Sequence, residues 1–138
     1  MPRKKELPFD SGRKMMSTMH KNGSSNVTYT KGAPDVVLKR CSRILIRGNV
    51  TAMTETHRRQ IQEAIEKMSS QALRTLAVAM RAGGTAPVER ELTFIGMVGM
   101  RDPARPEAKG AVARFKQAGV TTVMITGDHV DTAFAIAR

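Results

Sequence analysis

Tryptophan is absent, tyrosine occurs once and phenylalanine four times. Proteins that track single-stranded nucleic acid stack bases on aromatic rings, and this chain has few to offer. A single cysteine, Cys41, excludes an internal disulfide and suits a reducing compartment. His20, His57 and His129 share no metal-ligand spacing and have no cysteine cluster beside them, so a structural zinc is not expected. No Gly-x-Ser-x-Gly supports a nucleophile elbow. No apolar run approaches the roughly 20 residues that a bilayer-crossing helix needs. The polar start Met1-Pro2-Arg3-Lys4-Lys5 is not a signal peptide, and the piece is read as soluble. Internal repeats and low-complexity segments are also missing.

What is present is a chain of 138 residues, 41% apolar, enough for one ordinary domain or one domain and part of another. Its formal net charge is +11, which points to an anionic partner. The basic residues run from Arg3 to Arg138 with no cluster beyond Arg3-Lys4-Lys5. Three kinds of partner fit: acidic lipid, a nucleotide phosphate, or nucleic acid held by a basic binding module, the last two being the readings set against each other. Salt separates them. Duplex binding through many phosphates falls steeply with ionic strength, whereas a stacked purine is less sensitive.

Residues 1–7 read as a loose basic leader. A strand is expected from Arg13 to His20, a turn over 22–26 and a second strand over 27–30, together an antiparallel hairpin. Pro34 and Asp35 suit the first turn of a short helix reaching Cys41, with Val36, Val37 and Leu38 buried. Ser42 to Arg47 reads as a strand and Gly48-Asn49 as a turn. Thr54 suits the N-cap of a helix over 55–69, whose Ile61, Ala64, Ile65 and Met68 share one face. Strands follow at 73–80 and 92–100, separated by a Gly-rich loop. Two prolines then stiffen the connector Asp102-Pro103-Ala104-Arg105-Pro106. A helix over 106–118 has Pro at its start, Gly119 past its end and an apolar face of Ala108, Ala111, Val112, Phe115 and Ala118. Val120 to Ile125 reads as a buried strand, Thr126-Gly127-Asp128 as a turn and Val130 onward as a second helix. The strand at 92–100, this helix and the strand at 120–125 are also compatible with one right-handed βαβ unit.

A hydrophobic strand running through Thr126-Gly127-Asp128 into a helix start is phosphate-binding geometry, because glycine admits a close ligand and the helix end presents free N–H groups. Met124-Ile125-Thr126-Gly127-Asp128, with Thr132-Ala133 behind it and Ala118-Gly119-Val120 before it, resembles the P-type cation-transporting ATPases. So do Phe9-Asp10-Ser11-Gly12-Arg13-Lys14-Met15-Met16-Ser17, Lys31-Gly32-Ala33-Pro34-Asp35, Ala72-Leu73-Arg74-Thr75-Leu76-Ala77 and the connector at 102–106. The five segments follow that family's order and cover residues 8–138. The resemblance implies an α/β fold: an antiparallel sheet with packed helices over 8–101, a partial nucleotide-binding domain; a hinge at 102–105; and the start of a Rossmann-like phosphorylation domain over 106–138.

It further implies ATP binding by Phe9, Lys14, Lys31, Gly32 and Arg74. Phe9 would stack on adenine, Lys31 would line the adenine and ribose pocket, and Lys14 and Arg74 would face phosphates. An arginine suits that role because its planar fork binds two oxygens at once. Thr126 would hold the transferred phosphate, with Gly127 and Asp128 near the nucleotide and its Mg2+ when the domains close. Asp102, Pro103 and Arg105 would shape the hinge. The expected parent is a membrane pump, with calcium as the expected ion and the remaining pump domains as partners. Residues 106–138, if left uncovered, would fray or pair with a second copy. Three departures matter. Many members of the family place a basic residue near Ser11, so one phosphate contact is expected to be missing. Ala104 stands where the family commonly has a second adjacent proline. The motif Asp-Lys-Thr-Gly-Thr, whose aspartate accepts the phosphate, is absent from these 138 residues. This chain alone is therefore expected to bind nucleotide weakly and not to hydrolyse it. A stand-alone phosphatase of the same superfamily would need a strand-end Asp-x-Asp, which the chain also lacks.

Overall fold

A computed structural model describes residues 1–71, 73–101 and 105–126. They form β1 (Arg3–Asp10), β2 (Met15–Asn22), β3 (Ser25–Gly32), α1 (Pro34–Lys39), β4 (Cys41–Ile46), β5 (Asn49–Ala52), α2 (Glu55–Ser69), β6 (Arg74–Ala82), β7 (Leu92–Met100) and α3 (Pro106–Gln117). The strands make one sheet in the order β1-β2-β3-β6-β7-β4-β5. Every pairing is antiparallel except β4 with β7.

Alternation along the strands explains which face is covered. Met15, Ser17 and Met19 on β2 register with Gly32, Thr30 and Thr28 on β3, and the first two of these with Ala77 and Ala79 on β6. All eight are buried. Val37 and Leu38 of α1, Ile61 of α2, Cys41, Leu92 and Phe94 complete the core on the β6–β7–β4 side of that face. The spacing of Ile61 and Ile65 turns one stripe of α2 towards the sheet. Arg58 ties the two helices together, donating from Nη1 to Leu38 O at 2.8 Å and from Nη2 to Cys41 O at 2.7 Å. Burial pushes the Cys41 thiol up to about 11, with the Arg58 charge offsetting part of the effect.

The hairpin and the helix over 55–69 stand where the sequence places them. Thr54 is the N-cap, and its hydroxyl accepts from His57 N at 3.2 Å. Pro34 opens α1, although Val36 is only half-buried. Three segments differ. Residues 3–10 are an edge strand, not a loose leader, because β2 offers them a ladder. Residues 49–52 add a second edge strand. Residues 120–125 are exposed and lack regular structure, where a buried strand was expected. The helix over 106–117 forms, yet none of its residues is buried. The expected helix from Val130 lies outside the described residues.

Candidate functional site

Three of the five segments singled out in the sequence meet at one end of the sheet. In β1, Leu7 pairs with Ser17 and Asp10 with Met15, so Pro8 and Phe9 stand against the single residue Met16. Such a bulge re-aims a side chain, and Phe9 is 64% exposed. The 11–14 turn closes with Lys14 N donating to Asp10 O at 2.7 Å. Lys14 holds φ 53°, a left-handed conformation that a β-carbon disfavours by about 1–2 kcal/mol. It is held there from both sides, since Lys14 O accepts from Ala33 N at 2.9 Å.

That contact brings the Lys31-Gly32-Ala33 segment against the turn. Met16 registers with Lys31 and Met15 with Gly32. A β-carbon on Gly32 would lie 2.5 Å from Lys14 O and 2.6 Å from Met15 Cβ, so only glycine allows this approach. Lys31 in turn registers with Val78 of β6, four residues from Arg74. By alternation Lys31, Val78, Leu76 and Arg74 share one sheet face with Met16. Lys31 and Arg74 are exposed; Met16, Leu76 and Val78 are half-buried. The result is a patch with an apolar floor, a free-standing aromatic ring at one side and the ammonium or guanidinium groups of Lys14, Lys31 and Arg74 around it.

The sequence reading did not single out Met16, Leu76 or Val78. Their period-two alternation with the buried Met15, Ala77 and Ala79 was the available signal. Arg13 and Glu89 were also missed. Arg13 Nη1 lies 2.5 Å from Glu89 Oε2 and its Nη2 donates to Pro8 O at 2.6 Å. The hydrogen bond to Glu89 raises the Arg13 guanidinium above its ordinary pKa, against the opposing effect of burial. Arg13 therefore stays charged and is committed to protein partners, whereas Lys14 beside it is exposed.

Not every expected residue joins this patch. Arg105 is the residue preceding α3, where it acts as N-cap without a side-chain hydrogen bond, and Thr126 is exposed. Asp102, Pro103, Gly127 and Asp128 lie outside the described residues. A separate cleft of about 340 Å³ opens between α1, α2 and the start of β6, lined by Pro34, Asp35, Gln62, Ile65, Glu66, Ser69 and Thr75. Its Asp35 and Glu66 carboxylates make it a poor place for a polyanion. Among the described residues no group of three or more His, Cys, Asp or Glu side chains could hold a metal ion. No helix of the described residues is long and apolar enough to cross a membrane.

Comparison with known proteins gives the family of the chain. The family model of the P-type ATPase cytoplasmic domain N matches residues 1–107. Calcium-transporting ATPase 1 of Bacillus cereus is 51% identical over 138 residues, covering 96% of this chain. The calcium-transporting ATPase of Bacillus subtilis is 44% identical over 140 residues, again covering 96%. The human plasma membrane calcium-transporting ATPase 4 is 40% identical over 144 residues, covering 96%. The chain spans 16% of the length of each bacterial relative and 12% of the human one.

Proposed function

The chain belongs to the P-type ATPases, as part of their cytoplasmic domain N, and we propose that it holds the adenine nucleotide for a pump that moves calcium across a membrane. The observation behind this reading is the convergence of Phe9, Lys14, Lys31 and Arg74 at one sheet end over the half-buried Met16, Leu76 and Val78. Phe9 offers a flat face to adenine, and the three apolar side chains give the purine a dry floor. Lys31 reaches the ribose side from the neighbouring strand, with Gly32 keeping that strand close to the turn. Lys14 and Arg74 take phosphate oxygens. Mg2+ comes with those phosphates. The calcium assignment rests on the names of the relatives. In this reading the chain lies on the cytoplasmic side of a membrane protein, with the other pump domains as partners, which the match to the cytoplasmic domain N supports.

Residues 102–105 serve as the hinge in this reading, and 106–138 begin the domain that carries the phosphate, with Thr126, Gly127 and Asp128 turned to the nucleotide on closure. The family's covalent route uses the aspartate of Asp-Lys-Thr-Gly-Thr as phosphate acceptor, and these 138 residues do not contain that motif. This chain binds and the longer protein reacts. The exposed Val123, Met124 and Ile125 also support self-association of the isolated chain through 106–138.

Titration of the 138-residue chain with ATP tests the site. Amide resonances of residues 9–17 and 31–33 are expected to shift, and Phe9→Ala is expected to cost about 1–3 kcal/mol of binding through lost stacking. Shifts confined to residues 1–5, vanishing with added salt, would reduce the binding to charge attraction and sink the proposal.

A further inference from the structure

We propose that Glu89 is a positioning residue for the nucleotide patch: its carboxylate fixes Arg13, and Arg13 fixes the backbone that presents Phe9 and Lys14. This rests on the nucleotide reading above. Glu89 sits in the connection between β6 and β7, and its side chain is 11% exposed. Both of its oxygens are engaged. Oε2 takes Arg13 Nη1 at 2.5 Å, and Oε1 accepts from Ser17 Oγ at 2.9 Å. Ser17 Oγ shares a further hydrogen bond of 2.8 Å with Thr30 Oγ1, and neither residue is exposed at all. The carboxylate is therefore anchored to the covered face of β2 and β3.

Arg13 carries that anchor to the other side of the turn. Nη2 donates to Pro8 O at 2.6 Å, while Arg13 N donates to Asp10 Oδ1 at 2.8 Å. Pro8 belongs to the bulge, directly before Phe9. It has no N–H, so its carbonyl is the one backbone hydrogen-bonding group it can offer. The path Thr30–Ser17–Glu89–Arg13–Pro8 thus runs from the centre of the sheet to the peptide that aims the aromatic ring. The same guanidinium holds Lys14 by fixing the residue before it. Charge-assisted bonds of this kind are shorter and stronger than neutral ones. A binding group held in place beforehand loses less entropy when the ligand arrives.

Position and charge predict opposite signs, which makes the proposal testable. A carboxylate near an anion site lowers the local positive potential, so on Coulomb grounds Glu89→Gln tightens ATP binding. On positioning grounds it weakens binding of both ligands, adenosine through the presentation of Phe9 and ATP through that of Phe9 and Lys14 together. The 138-residue chain and its Glu89→Gln variant are titrated with ATP and with adenosine, followed by amide resonances at fixed salt. A loss of about tenfold for both ligands is expected, the scale of one charge-assisted hydrogen bond. Glu89→Asp, which keeps the charge on a shorter arm, should fall between the two. Unchanged or tighter ATP binding in Glu89→Gln overturns the proposal, as does a loss confined to ATP. Arg13→Lys reads the same contact from the other end, and covers the case of a Glu89→Gln variant that does not fold. If the unsubstituted chain shows no shifts at residues 9–17, the nucleotide reading falls and this proposal with it. If it binds and Glu89→Gln binds equally well, only this proposal falls.

Discussion

The helices α2 and α3 have similar length and each carries an apolar stripe, yet α2 buries Ile61 and Ser69 and α3 buries nothing. The difference lies in what surrounds them. α2 lies on the covered face of the sheet, against the core cluster that includes Ala77 and Leu92. Among the described residues no such face lies against α3, which still forms because a helix satisfies its backbone from within. Strand-forming sequence behaves otherwise. β6 has a neighbour on each side and buries Ala77 and Ala79 completely. Residues 120–125 are far richer in β-branched residues than β6, yet they are exposed and irregular, with Ile125 at 93% exposure. A strand needs a partner ladder before its propensity counts.

Hydrogen exchange gives the sharpest contrast between the two regions. Amides at the centres of β3 and β6 should exchange only on global opening, while those of 121–125 exchange nearly as fast as a free peptide. With a global stability of ordinary size the ratio exceeds about a thousandfold. A concentration series adds a second reading. Slowing at 121–125 as the protein is concentrated would reveal pairing between copies through this surface. Strong protection there in a dilute monomer would break the comparison, and would mean that the segment packs on its own sheet.

Large-to-small substitutions carry the same contrast into stability. Leu92 is fully buried and Phe115 is 50% exposed. Leu92→Ala should cost about 2–5 kcal/mol, the transfer term plus the cavity it leaves. Phe115→Ala, though it removes a larger group, should stay within about 0.5 kcal/mol, as surface changes do. Denaturant melts of the two variants read this directly. A cost for Phe115→Ala approaching that of Leu92→Ala would show that α3 has a packing partner after all.

Local signals were legible in the sequence and distant ones were not. Thr54 marks the start of α2 and Pro34 that of α1, because a cap acts within three or four residues. His57 shows the limit of such reading. It takes the place that Glu or Gln usually fills in a capping box, with Nδ1 accepting from Thr54 N at 3.3 Å. Residues 1–7 looked like a leader because they are basic, a feature that marks edge strands equally well. The candidate patch was readable as three separate motifs, through family resemblance and not through spacing. Its floor needed the register, and Glu89 lies 76 residues from the arginine it holds, a separation that no local pattern encodes.

The smallest expected effect tests whether α3 stands alone. Gly110 lies in the middle of α3, and a β-carbon added there would meet nothing within 4 Å. Gly in a helix interior is worse than Ala by about 0.5–1 kcal/mol, chiefly through the freedom it loses on ordering. Gly110→Ala should therefore raise the helical population of 106–117, read from carbon chemical shifts, without a steric cost. An uncoupled α3 keeps this gain to itself, so the melting temperature of the sheet stays where it was. A coupled α3 passes the gain on, and the sheet melts a few degrees higher. Gly32→Ala is the matching control in the other region. There the added carbon runs into the backbone of Lys14 and Met15, so the same change should lower the melting temperature of the sheet. Sheet melting that rises with Gly110→Ala would join the two regions that the exposure of α3 separates.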